Sequence, residues 1–140
     1  MIILTTEYEK LLDRAFSKLP GLSEEHADFK MPEADSIIQG NNTLLRNFSQ
    51  IAEVARRDRK EISNYLTKEL AAHITVEDQR LVIHAKINAN ELNSKIRKFF
   101  ESYIICKECH KPDTHTESVS RGFATLVCEA CGARYAVKYY

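Results

Sequence analysis

Apolar side chains at Tyr8, Leu11, Leu12, Ala15, Phe16 and Leu19 recur at i, i+3, i+4, i+7, i+8 and i+11, which is one stripe at helical period. Thr6 with Glu9 three residues on predicts a capping box at the start of this helix, and Pro20-Gly21 predicts its end. From residue 22 to residue 35 the period disappears, the charge is acidic and Pro32 interrupts the chain. Residues 1–20 are therefore expected to form a separate amphipathic helix, and residues 21–35 a flexible linker. Such a helix either folds back onto its own core or lies in a groove on another protein. The pattern alone leaves both open.

Residues 36–103 alternate strand-like and helical patterns. Residues 36–39 and 43–46 read as short strands around Gly40-Asn41-Asn42, and residues 73–76 and 81–87 as a hairpin across Glu77-Asp78-Gln79-Arg80. Three helix starts carry a capping pair: Asn47 with Gln50, Asp58 with Glu61, and Asn88 with Glu91. Their apolar faces are Phe48, Ile51, Ala52 and Ala55; then Ile62, Tyr65, Leu66 and Leu70; then Leu92, Ile96, Phe99, Phe100 and Tyr103. This order predicts a small α+β domain, an antiparallel sheet with helices on one face.

Residues 104–140 carry the one site whose chemistry is legible. Cys106 and Cys109 form one C-x₂-C knuckle, Cys128 and Cys131 another, with residues 110–127 between them. That is the spacing of a four-cysteine zinc site, because a two-residue spacer lets both thiolates of a knuckle reach one ion. Gly132 supplies conformational freedom after the second knuckle. Residues 114–120, 123–127 and 134–139 read as three strands, with Arg121-Gly122 as a turn, so the segment is expected to be a zinc ribbon. A closed shell of four sulfurs leaves no position for water, so the Zn²⁺ would be structural. His110 and His115 lie near the site, but the four cysteines already complete a tetrahedron.

Composition narrows the function. Lys plus Arg is 20 and Asp plus Glu is 20, so net charge is zero, and no segment is a basic arm: residues 1–30 carry −2, residues 31–105 and 106–140 +1 each. That balance argues against nucleic-acid binding by bulk positive charge. The densest basic cluster, Arg56, Arg57, Arg59 and Lys60, reads either as solvated helix ends or as a candidate RNA contact. No apolar run is long enough to span a membrane, and the N-terminal apolar stretch is too short for a signal-peptide core, so a cytoplasmic protein is expected. There is no phosphate-cradling glycine loop, since the only glycines are at 21, 40, 122 and 132. His26, His73 and His84 have no evident catalytic partner, and no enzyme is expected.

The order of helix, linker, α+β domain and four-cysteine ribbon resembles the family of archaeal translation initiation factor 2 beta subunits. The resemblance runs from about Tyr8 to Val137. It is carried by Tyr8-x-x-Leu11-Leu12-x-Arg14-Ala15, by Gly40-Asn41-Asn42-Thr43 with Asn47-Phe48, and by Tyr65-Leu66-x-x-Glu69-Leu70. Pro112-Asp113-Thr114 directly after the first knuckle, and Gly132-Ala133 after the second, make it more specific than ribbon spacing alone. The chain departs from the family at Asn42, commonly lysine, at Ala71-Ala72, commonly Gly-Thr, and at His84-Ala85, in a segment that often contains glycine. The Ala71-Ala72 departure predicts a turn built differently. The lysine blocks of the eukaryotic counterpart are absent, which fits the archaeal form.

The resemblance implies a non-enzymatic subunit of a heterotrimer with a GTP-binding gamma subunit and an alpha subunit. That assembly delivers methionylated initiator tRNA to the small ribosomal subunit. It further implies that the first helix docks on gamma, with Tyr8, Leu11, Leu12 and Phe16 as anchors and Ala15 and Leu19 on the same stripe. Two other readings stand beside it. One is the GTPase-activator domain of initiation factor five, which shares the core-plus-ribbon plan but continues into a helical domain beyond the point where this chain ends. The other is a stand-alone zinc-ribbon module that binds nucleic acid.

Overall fold

A computed structural model of the protein describes residues 3–18 and 29–139. The first helix, α1, runs Ile3–Lys18. Thr6 therefore lies a turn inside the helix, not at its cap: β-branched residues lower helix propensity by only roughly half a kcal/mol, so Thr5-Thr6 does not stop the helix from starting earlier. Leu19 and the expected terminator Pro20-Gly21 lie outside the described residues.

The central domain has element order β1 (Ser36–Gln39), β2 (Asn42–Leu45), α2 (Phe48–Ala55), α3 (Arg59–Leu70), β3 (Ile74–Glu77), β4 (Arg80–Ile83) and α4 (Ala89–Phe99). The four strands form one antiparallel sheet in the order β1-β2-β4-β3. Strand alternation sends Thr43, Leu45, Leu81 and Ile83 to one face, and all four are fully buried. There they meet the helical stripes, with Phe48, Ile51, Ile62, Leu66, Leu92, Ile96, Phe99 and Phe100 as the bulk of one core.

Several local expectations are corrected, among them the cap at Asn88, whose side chain makes no cap hydrogen bond to α4. The strand foreseen over 81–87 ends at Ile83. The buried Thr43 hydroxyl donates to the Ala85 carbonyl at 2.7 Å and accepts from the Ile87 amide at 3.0 Å, which ties residues 85–87 to β2 in place of a longer strand. Asn47 stands at the N-cap of α2 but makes no side-chain cap. Its amide instead donates to the Glu33 carbonyl at 2.7 Å and accepts from the Asp35 amide at 2.9 Å. With Ala34 held by Asn93 at 2.7 Å, and Phe29, Met31 and Ala34 packed on the core, residues 29–35 are fastened to the domain. Asp58 does cap α3, accepting from the Lys60 amide at 3.4 Å, but Glu61 turns inward rather than back to the cap.

Ala71 stands at the turn for which the resemblance predicts a different build. It ends α3 in the left-handed conformation, φ 48° and ψ 35°. The turn is the one glycine ordinarily makes, built here with a Cβ that crowds the following carbonyl. Ala71→Gly is expected to stabilise the domain by about 1 kcal/mol in denaturant unfolding, the relieved strain exceeding the extra unfolded-state entropy.

Helix α4 does not stop at Phe99. Residues Phe100–Ile104 continue it as a π-helical turn that enters the first knuckle. The ribbon follows as β5 (Thr114–Ser120), β6 (Phe123–Cys128) and β7 (Arg134–Lys138), a three-stranded antiparallel sheet in that order. Its own core is small: Ala124, Leu126 and Val137, flanked by Tyr103, Tyr135 and Tyr139. Tyr103 packs against both cores.

Candidate metal centre

The four cysteines converge. Their sulfurs all lie within 4.8 Å of one another, with Cys106 to Cys131 at 3.6 Å and Cys109 to Cys128 at 3.5 Å. A tetrahedral ion with metal–sulfur bonds of about 2.3 Å has sulfur–sulfur edges of about 3.8 Å, so the cluster fits one thiolate-bound ion. No cysteine is in a disulfide. Cys106 and Cys128 are buried, Cys109 is half-buried and Cys131 is exposed, so the site is sealed from within and open on one side.

The two knuckles repeat one backbone plan. The His110 amide donates to the Cys106 carbonyl at 2.9 Å, and the Gly132 amide to the Cys128 carbonyl at 3.0 Å. The Cys106 amide bonds the Lys111 carbonyl at 3.0 Å, and the Cys128 amide the Ala133 carbonyl at 2.9 Å. Both turns need a left-handed residue after the second cysteine. Gly132 takes φ 75°, as its type allows, whereas His110 holds φ 56° with a side chain.

Amides aimed at the sulfurs set their acidity. Burial pushes the Cys128 thiol up, but the Cys131 and Ala130 amides and the neighbouring thiols outweigh it, bringing it to about 7. At Cys131 the Ala133 amide favours the thiolate, yet desolvation and the neighbouring sulfurs carry it up to about 12. Cys109 is also raised: the Lys111 amide lowers it, but desolvation and the Cys128 and Cys106 sulfurs prevail. Four sulfurs this close cannot all ionise without a cation among them. That is the electrostatic mark of a site for a soft divalent metal, which binds thiolates and releases their protons.

His115 takes no place in the cluster. Its ring lies between two carboxylates, Nε2 at 3.0 Å from Glu117 and Nδ1 at 3.1 Å from Glu129. Arg134 pairs with Glu117 at 2.8 Å, and Arg56 approaches Glu129 at 3.7 Å.

The basic cluster is dispersed by the fold. Arg56 ends α2 at φ 52° and leans towards the ribbon. Arg59 donates to the Asp78 carbonyl and to Ser49 Oγ, the latter at 2.9 Å, and Lys60 is exposed. Arg57 is turned inward, its side chain only 2% exposed, and so is not available as the surface RNA contact the sequence offered. Its Nη1 donates to the Thr114 carbonyl at 2.7 Å, and its Nη2 to the Tyr103 carbonyl at 2.9 Å and to Thr114 Oγ1 at 3.1 Å. The Thr114 hydroxyl donates in turn to the Ile104 carbonyl. Arg57 Nε has no hydrogen bond and faces the buried Glu61 carboxylate at 3.9 Å. Burial lowers the Arg57 pKa and raises that of Glu61, each partly offset by the other's charge. No sequence pattern announces this bond set, because Thr114 lies 57 residues away.

The stripe on α1 stays open to solvent. Tyr8, Leu11, Leu12 and Phe16 are 63%, 63%, 41% and 58% exposed, and Ala15 is exposed beside them.

An antiparallel α+β domain followed by a three-stranded ribbon with four converging cysteines defines the class, a mixed α+β protein whose C-terminal cluster could bind a metal ion. A family model for a domain found in initiation factors 2B and five matches residues 21–134. The chain is 38% identical over 132 residues to translation initiation factor 2 subunit beta of Picrophilus torridus, covering 94% of this chain and 64% of that relative. It is 36% identical to the protein of the same name from Methanosphaera stadtmanae and 40% identical to that from Methanococcus aeolicus, with 94% of this chain and 92% and 94% of the relatives covered. The chain belongs to the family of archaeal translation initiation factor 2 beta subunits. Among the described residues no helix is long and apolar enough to cross a membrane.

Proposed function

We propose that the chain is the beta subunit of a heterotrimeric, GTP-dependent initiation factor, held to the GTP-binding gamma subunit by α1. The observation that carries this reading is the apolar stripe Tyr8, Leu11, Leu12 and Phe16, left exposed on a helix outside the core. Exposed aromatic and leucine side chains at helical spacing are the anchors a groove takes up. Through gamma the chain joins the alpha subunit, and the assembly brings methionylated initiator tRNA to the small ribosomal subunit in the cytoplasm. The chain itself performs no catalysis. The ion in the ribbon is Zn²⁺, whose tetrahedral preference and affinity for sulfur match four thiolates, and its part is to hold the fold.

The test is calorimetric titration of the full chain into purified gamma subunit. Leu12→Asp with Phe16→Asp is expected to weaken binding at least about a hundredfold, since each anchor of this kind contributes about 2 kcal/mol or more. Circular dichroism of the variant stays that of the parent, because both side chains are exposed. Unchanged affinity would remove α1 from the interface.

A further inference from the structure

The four cysteines are not equally covered. Cys106 and Cys128 are fully buried and Cys109 is half-buried, whereas Cys131 is exposed. The second knuckle is bare around it. Its neighbours Ala130 and Gly132 are small and exposed, and a Cβ built at Gly132 would meet no atom within 4 Å. In the first knuckle Glu108 and His110 stand in the corresponding places beside Cys109. A small neutral molecule from solvent therefore reaches the Cys131 sulfur before any other sulfur of the cluster. The chain has no cysteine outside the site, so no other thiol competes for an oxidant.

Metal ligation holds a cysteine as its thiolate, and the thiolate is the form that attacks an electrophile. Burial shields such a sulfur, and Cys131 lacks that shield. A second sulfur waits beside it, because Cys106 of the other knuckle lies 3.6 Å away.

We propose that Cys131 is the site at which a peroxide oxidises the cluster, and that the oxidation ends in a Cys106–Cys131 disulfide that releases the ion. The proposal rests on the zinc reading above. The Cys131 thiolate attacks one peroxide oxygen: an S–O bond forms, the O–O bond breaks and hydroxide departs. The Cys106 thiolate then attacks the Cys131 sulfur: an S–S bond forms, the S–O bond breaks and a second hydroxide departs. Two thiolates are oxidised by the two electrons that reduce one peroxide, and both hydroxides take protons from water. Cys109 and Cys128 remain as thiolates, too few to close a tetrahedral shell. The new bond keeps the two knuckles tied together, so a thiol reductant with added zinc restores the site. Helix α1 contains no cysteine, so the docking stripe is untouched by the reaction.

The experiment treats the full, zinc-loaded chain with hydrogen peroxide and follows released zinc with a chromogenic chelator. Metal analysis before oxidation fixes the starting content. Zinc release is expected to keep pace with loss of free thiols and to reverse with dithiothreitol and zinc. Peptide mass spectrometry is expected to find Cys106 joined to Cys131 in the first oxidised product. Dimedone, which captures sulfenic acids, is expected to label Cys131 first. Cys131→His offers a nitrogen ligand in place of the exposed sulfur, and its zinc release is expected to slow at least about tenfold. Release at the parent rate from the zinc-loaded variant overturns the proposal. So does a first disulfide that omits Cys131 or pairs it with another cysteine, or first labelling at Cys109; both are read on the parent chain and do not depend on the variant folding. A zinc-loaded parent that keeps its ion in peroxide overturns this proposal alone, whereas a parent that binds no zinc overturns the zinc reading as well. Gamma binding by the oxidised chain is expected to equal that of the reduced chain, so failure here and failure of the docking helix are told apart.

Discussion

Cys109→Ser is expected to abolish the protected amides of β5, β6 and β7 in hydrogen exchange, while α2, α3 and the first turns of α4 keep theirs at reduced stability. The ribbon's own apolar core amounts to Ala124, Leu126 and Val137 with three flanking tyrosines, too little to offset the entropy of ordering it. Structural zinc contributes about 10–16 kcal/mol of apparent binding free energy at neutral pH, and under the zinc assignment proposed above it would supply what the strands lack. Chelation of the parent chain should act as the substitution does, and more readily in acid. Bound thiolates are deprotonated, whereas in the metal-free cluster Cys131 is held up at about 12, Cys109 is raised, and Cys128 stands at about 7. Binding therefore releases protons, and affinity falls as pH falls, more steeply below about 7 where Cys128 also takes up its proton. The central domain should survive with a thermal midpoint lowered by about 4–8 °C for each kcal/mol it loses. It loses some because Thr114, which accepts from Arg57, goes with the ribbon. An unchanged core midpoint would show that the two units do not support one another.

Arg57→Met is the second large effect. Methionine fills much of the volume but leaves the Thr114 and Tyr103 carbonyls without their donor and Glu61 buried without a cation. Breaking a buried ion pair from one side costs about 3–5 kcal/mol, most of it the penalty of the group left behind. Denaturant unfolding of the zinc-loaded chain should show that loss, and Arg57→Met with Glu61→Met should recover part of it. The pH dependence has a definite sign. Burial raises Glu61 above its unfolded value and Arg57 lowers it, so removing Arg57 raises it further. The folded state then holds a proton that the unfolded state releases, and stability is lost as pH climbs through the raised carboxylate range. The variant should therefore come closer to the parent in mild acid than at neutral pH. Equal destabilisation at both would remove Glu61 from the account.

The parts legible in the sequence are those written in local pattern. Two C-x₂-C knuckles define the metal cluster because the spacing itself fixes which sulfurs can meet. The stripes of α2, α3 and α4 were readable because each repeats at helical period, and their residues form the core. Asn47 and Thr43 show what pattern misses. Each polar side chain satisfies backbone groups on a segment distant in sequence, so Asn47 reads as a cap and Thr43 as a strand residue until the chain is folded. Ala71 shows the converse, a residue unsuited to its turn that nevertheless takes it where α3 gives way to β3. Arg57 reads from its charge as a surface residue, yet its side chain is buried. One charged residue in a run of four gives no sign of which will be buried, since that depends on where Thr114 arrives.

The passage of α4 through the π-helical turn into the first knuckle has a consequence for reach. Helix and turn run from Ala89 to Ile104, the α-helical part alone spanning about 16 Å at about 1.5 Å per residue. Only Ile105 separates that rod from Cys106. With Arg57 bolting the rod's far end to β5, the hairpin turn at Gly40-Asn41 and the one at Arg121-Gly122 belong to a single gauge. A surface that touches both must present its contacts at the gauge's own span. One spaced otherwise keeps the first contact and forfeits the second, because the effective concentration of a tethered contact collapses when the distance is wrong.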